Sequence, residues 1–397
     1  MEVKKMKRVI AVILVLCMAL SLCACSSSGS GSASGEKVIK IGVFEPSSGD
    51  SASGGKKEIL GMQYANSQEP TVTLGGETYK VELVYADNGS STDKAPSAAQ
   101  QLVSEGVSVV LGSYGSGVSI AGSQYFADAG IPAIGVTCTN PQVTAGNSHY
   151  FRICFLDPFQ GTVLANYAFK ELGAHTAYCL AELGNDYDVG LCHYFQQAFE
   201  AMGGMVISDT FPTGNSDFTS YLSNATAIGA EVFFCPVSIA YSSQIISQAA
   251  GQNVSYPILG SDTLDNNKVA EAAKGTNVKV IITTFYQEGG SPEFDEGFKA
   301  WLNSDSEYLT NNGGNDMISA VSVMGYDAYF TALEALKAAG SPDSKAVLAA
   351  LPSVKLTGVT GEIAFDETGD AIRDSAYIKS VNTETGAWDF VAVQTVE

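Results

Sequence analysis

Two glycine-rich stretches and a scatter of carboxylates, serines and threonines are the groups that could do chemistry in this chain of 397 residues. Residues 49–57 read GDSASGGKK, with the glycines and lysine of a phosphate loop. The G-x-x-x-x-G-K-[ST] spacing is missed, because Lys56 is followed by Lys57 where the loop needs a hydroxyl. Residues 112–117, GSYGSG, fit neither G-x-G-x-x-G nor the G-x-S-x-G nucleophile elbow, since Tyr114 stands two places before Ser116. The three histidines, His149, His175 and His193, have no second ligand at metal-binding spacing, so neither a metal nor a cofactor is expected. Asp186 and Asp188 could work as an acid-base pair, but on a surface this acidic a solvated pair is the commoner outcome. These residues read as a binder and not an enzyme. Ser116 follows a strand-like run ending at Leu111, where a helix begins. A hydroxyl there either caps its own helix or joins free N–H groups in receiving a carboxylate.

Charge narrows the partners. Lys and Arg number 21 against 42 Asp and Glu, a net charge of −21, which excludes nucleic acid. Lys4, Lys5, Lys7 and Arg8 precede an apolar run over residues 9–24, in the order of an export signal and too short for a bilayer span. The run ends Leu22-Cys23-Ala24-Cys25, which resembles a bacterial lipobox and implies lipid on Cys25. Residues 26–35, almost all Ser, Gly and Ala, then read as a flexible tether. The expectation is a monomeric extracytoplasmic body anchored to the cell membrane by lipid. Without residues 1–24 the balance becomes 17 basic to 41 acidic residues, or −24. Beyond Cys25 lie Cys138, Cys154, Cys179, Cys192 and Cys235, an odd number that cannot all pair; several sit in apolar runs suited to buried thiols.

The elements that must position these groups alternate. From Val38, β-branched runs and helical patterns repeat through residue 135, and the alternation restarts after Asp157. This predicts an α/β protein of two doubly wound parallel-sheet lobes. A long helix over residues 319–339 and late strands near residues 362–365, 377–381 and 388–393 are too few for a third domain and predict a chain that recrosses between lobes as a hinge. The expected division is a signal peptide over 1–24 and lipidated Cys25 with its tether over 25–36. One lobe then comprises 37–156 plus 284–358, and the other 157–283 plus 359–397.

Five stretches carry a family resemblance: IGVFEPSSGD from Ile41, VVLGS from Val109, GIPAIGVT from Gly130, YDA from Tyr326 and GEIAFDETGD from Gly361. In that order, after a lipobox, they resemble the extracytoplasmic substrate-binding proteins of branched-chain amino acid ABC transporters, of periplasmic-binding-protein type I. The resemblance implies a ligand held between lobes and delivered to a transporter permease. It puts the carboxylate-binding serine at Ser116 and the ammonium-binding carbonyl at Thr137. It puts a hydroxyl and N–H contact at Thr139, a closing aromatic at Tyr187 and an acidic partner for the ammonium at Asp262, which on its own reads as a helix cap. It also marks a departure. Gly54 stands where relatives with a leucine-type pocket often have an aromatic wall, and Tyr114 could refill part of that space. Residues 236–241 carry one extra residue, so their contacts do not transfer. An α-amino acid ligand is expected, without a choice of side chain. A sensory protein of the same fold, a binder of another small molecule and a cell-surface enzyme remain as alternatives.

Overall fold

The computed structural model describes residues 36–396; residues 1–35, with the signal segment, Cys25 and all but Glu36 of the tether, lie outside the described residues. Chain order begins β1 (Val38–Glu45), α1 (Ala52–Gln68), β2 (Thr71–Leu74), β3 (Glu77–Asp87), α2 (Ala95–Glu105), β4 (Val109–Leu111), α3 (Ser116–Ala129), β5 (Ala133–Gly135) and β6 (Tyr150–Arg152). These strands form a six-stranded sheet in the order β2-β3-β1-β4-β5-β6. It is parallel except at one edge, where β2 runs antiparallel to β3. The expected parallel-sheet lobe thus carries one antiparallel edge strand. Gly75 and Gly76, both at positive φ, turn the chain in too few residues for a helical crossover.

The second lobe starts with α4 (Asp157–Asn166), β7 (Thr176–Glu182), α5 (Asp186–Ala201), β8 (Met205–Phe211), α6 (Thr219–Ala227) and β9 (Val232–Phe234). It continues through α7 (Ile239–Gln252), β10 (Ile258–Gly260), α8 (Asn267–Ala273) and β11 (Val280–Thr284). After β11 come α9 (Pro292–Leu302), α10 (Ser306–Asn311), α11 (Ala320–Ala339), α12 (Ser344–Ala350), the hairpin β12 (Lys355–Gly358) and β13 (Gly361–Ala364), then β14 (Ala376–Asn382) and β15 (Ala387–Gln394). The last two strands return to the second sheet, whose order is β15-β14-β11-β10-β9-β7-β8. Both are antiparallel to their neighbours, so this sheet too is mixed at one edge.

The long helix α11 packs on α1 of the first lobe by bringing backbones together. A Cβ on Gly61 would lie 1.9 Å from the carbonyl oxygen of Ser322, and one on Gly325 would lie 2.2 Å from that of Glu58. This contact buries Leu60, Met62, Ala65, Ala328 and Leu333 in one core and fixes the depth of α1, which carries Gly54 and Glu58. Gly61→Ala is therefore expected to destabilise the protein by roughly 1–3 kcal/mol through overpacking. A denaturant titration with an unmoved midpoint would show that the helices can separate at no cost.

Candidate functional site

In each sheet the chain winds outward in opposite directions from one point, between β1 and β4 in the first and between β7 and β9 in the second. The loops beyond the carboxyl ends of such strands part and leave a crevice. A cavity of about 480 Å³ lies where both crevices meet, lined by Pro46, Tyr114 and Ser116 from the first lobe and by Glu182, Tyr187 and Val237 from the second.

Ser116 is the first residue of α3, and the capping position falls on Gly115, which offers no side chain. The Ser116 hydroxyl instead accepts from the backbone N–H of Asn140 at 3.2 Å. The first turn of the helix thus has no side-chain cap. The N–H groups of Ser116, Gly117 and Val118 have no acceptor within the helix, and all three residues line the cavity.

Thr137 and Thr139 lie on the turn after β5, buried just behind that helix start. The Thr137 hydroxyl donates to the Glu58 carboxylate. The Thr139 carbonyl accepts from the N–H of Asp157 at 3.0 Å, while its hydroxyl has no protein partner. Arg152, fully buried at the end of β6, holds the turn. Its Nη1 donates to the carbonyls of Cys138 at 2.9 Å and Asn140 at 2.6 Å, its Nη2 to the Thr144 hydroxyl at 2.8 Å, and its Nε to Asp370. Asp370 closes the GEIAFDETGD stretch, so that motif acts by neutralising the cation that shapes the turn.

From the second lobe, Asp262 opens a short 3-10 turn after β10 and is 1% exposed. Its Oδ1 accepts from the Tyr187 hydroxyl and from Gln160 Nε2, both at 2.8 Å. Gln160 also donates to the Thr283 hydroxyl at 2.8 Å. Burial pushes the Asp262 carboxyl up to about 6, and the two hydrogen bonds limit that rise. Tyr187 is fixed at the start of α5 by Asn185, whose Oδ1 accepts from the N–H groups of Tyr187 and Asp188. Two further buried acids adjoin these groups. Asp157 has no partner on either carboxylate oxygen and is pushed up to about 8 by desolvation; Glu58 is pushed up to about 7 by the same cause.

Tyr114, Ser116 and Tyr187 thus share the cavity wall. Asp262 lies one hydrogen bond behind it, and Thr139 sits on the turn joined to Ser116 through Asn140. Thr137 faces Glu58 with its hydroxyl. Gly54 lies under the Tyr114 ring, where an added Cβ would come within 2.4 Å of Cε2 and Cζ. In the 236–241 stretch, Tyr241 points into the second lobe's core against Phe211, and its hydroxyl reaches Glu182 at 3.3 Å. Glu58, Arg152, Asp157 and Gln160 were not singled out by sequence reasoning. Their one local signal is the placement of Asp157 and Gln160 a helical turn apart at the start of α4. Among the described residues no group of three or more His, Cys, Asp or Glu could hold a metal ion.

Removing Asp370 would strand Arg152 without its counter-ion in the interior. Asp370→Ala is expected to cost about 3–5 kcal/mol of stability, read from the shift in a chemical unfolding midpoint. A loss below 1 kcal/mol, by the same measure, would mean that the carbonyls and Thr144 suffice to hold the cation.

A family model described as "Periplasmic binding protein" matches residues 38–386. "Leu/Ile/Val-binding protein homolog 1" of Brucella abortus is 27% identical over 342 residues, covering 84% of this chain and 87% of that one. "Amino acid binding protein" of Pseudomonas aeruginosa is 27% identical over 344 residues, covering 86% and 89%. Among solved structures, a leucine binding protein of Thermotoga maritima superposes with a TM-score of 0.79 at 31% identity, covering 90% of this chain and 99% of the other. A branched-chain amino acid transporter substrate binding protein of Streptococcus pneumoniae, in complex with isoleucine, gives 0.77 at 26%, with coverage of 90% and 99%. A solute binding protein of Rhodopseudomonas palustris in complex with 3,4-dihydroxybenzoic acid shares the fold, with a TM-score of 0.76 at 22% identity and coverage of 91% and 98%. The matched span, the two mixed sheets and the cleft between them agree: this chain belongs to the periplasmic binding protein family, a family of binding proteins and not of enzymes.

Proposed function

We propose that this protein captures an α-amino acid between its lobes and delivers it to the permease of an ABC importer, working as a monomer outside the cytoplasm on a lipid carried by Cys25. The observation that carries the ligand class is the pairing of opposite electrostatics across one cavity. One wall has the uncapped start of α3 at Ser116, suited to a carboxylate. Behind the other, one hydrogen bond beyond Tyr187, is the buried Asp262, held by neutral donors alone and suited to an ammonium. Relatives named for leucine, isoleucine and valine, and one named for amino acids, support the same class. In this reading the Thr137 carbonyl and the unpartnered Thr139 hydroxyl take the remaining ammonium protons, and Tyr187 shields the bound ligand while orienting Asp262. Asn140 Nδ2 donates to the Asp186 carbonyl at 2.9 Å and the Tyr114 hydroxyl to that of Thr263 at 3.1 Å, bonds that join the lobes and that opening would break. The division into lobes at residues 156, 283 and 358 belongs to this proposal.

Calorimetry on variants tests the assignments. Asp262→Ala is expected to weaken amino-acid binding by about 2–4 kcal/mol, since a desolvated ammonium would lose its counter-charge. Ser116→Ala is expected to cost about 1–2 kcal/mol, because the backbone N–H groups remain. Unchanged affinity in Asp262→Ala would remove that residue from the site.

The pH dependence follows from the raised Asp262. An ammonium favours the ionised carboxylate and lowers its pKa on binding, so below about 6 a proton must leave as the ligand enters. Affinity should therefore rise as pH goes from about 5 to about 7, with net proton release detectable by repeating the titration in buffers of different ionisation heat. A flat profile over that interval would argue against Asp262 as the counter-charge.

A further inference from the structure

Resting on that reading, we propose that the ligand is an α-amino acid whose side chain is polar and not anionic, and that Tyr114 sets this preference by filling the wall above Gly54. Tyr114 is clamped at both ends. Its backbone N–H donates to Glu45 at 2.7 Å and its hydroxyl to the carbonyl of Thr263 at 3.1 Å, and the residue is 6% exposed. Its ring lies directly against the backbone of α1, since a single carbon added to Gly54 would collide with it. The space over that part of α1 is therefore occupied by the protein's own aromatic ring, and a ligand held at Ser116 has to extend the other way, into the 480 Å³ cavity.

That direction suits hydrogen bonding better than an aliphatic chain. Pro46, Val118, Leu183 and Val237 are the aliphatic residues of the cavity wall, a minority of its lining, and Leu183 among them is 64% exposed. Hydroxyls and an amide from Ser90, Thr92, Asn185 and Ser238 stand around the same space. Asp50, Asp93 and Glu182 add negative charge, and neither Lys nor Arg lines the cavity. Apolar ligands are held by predominantly apolar walls, and a second carboxylate on the ligand would meet like charge with no cation to offset it. An amide, a hydroxyl or an amine at the end of the side chain fits all three observations.

Calorimetry of the purified protein with glutamine, threonine, lysine, leucine and glutamate, on wild type and Tyr114→Leu, tests this. In wild type, at least one of glutamine, threonine and lysine should bind tenfold or more tighter than both leucine and glutamate. Tyr114→Leu should shift the ratio of leucine to that ligand by tenfold or more in favour of leucine. Leucine or glutamate binding best to wild type would overturn this inference while leaving the amino-acid reading intact, as would a ratio unmoved by Tyr114→Leu in a protein that still unfolds cooperatively. Should that variant fail to fold, the wild-type ranking decides alone. Binding of benzoate with no binding of any amino acid would overturn both readings.

Discussion

A carboxylate taken out of water needs a counter-charge or a proton, and the interior of this protein is organised around where counter-charges are and are not provided. Arg152 is matched by Asp370, and Lys379 by Asp265 at 3.0 Å. Lys57, buried on α1, is bonded to the backbone and side chain of Asn312 and is pushed down to about 7 by desolvation. None of these cations is hydrogen-bonded to Asp262, Asp157 or Glu58, each of which is held above the usual carboxylate range. The imbalance sits at the cleft, where the proposed ligand would bring positive charge of its own.

The neutral donors that hold Asp262 also tie it to the route by which the chain leaves the first lobe. Gln160 is on α4, directly after the crossover that carries Phe155, whose ring meets that of Phe285 at 4.2 Å between centroids. Asp157, at the start of the same helix, donates its N–H to Thr139 on the first lobe's binding turn. In the proposed site, a movement of the lobes about this crossover would shift the Thr139 turn relative to Asp262 and so couple occupancy to closure without a separate signalling element.

Much of this architecture was readable in the chain. Residues 41–44 and 109–111 lack charged side chains because they are covered on both faces, and Ser116 could be placed at a strand's carboxyl end for that reason. Other parts were hidden. Helix α9 has Phe294, Phe298 and Leu302 at steps of four, a usable signal, yet its neighbours gave no alternation to place it in. Asp262 sits in Gly-Ser-Asp-Thr, a local pattern of caps and turns, and the family resemblance alone marked it. The Arg152–Asp370 pair joins positions 218 residues apart. A charged residue's burial is set by what folds over it, and no local spacing reports that.

The five cysteines within the described residues are all buried and unpaired. Burial pushes the Cys138 thiol up to about 11 and those of Cys154, Cys192 and Cys235 upward as well, so these four present very little thiolate. Buried in the folded body, these five should be indifferent to the redox potential around it. The unfolded chain is not: until the two sheets close, the same thiols are free to oxidise or mispair. For a family that works outside the cytoplasm, this sets a race between core formation and disulfide chemistry, and parallel sheets, the second of them completed only by the last strands of the chain, are slow to close in it.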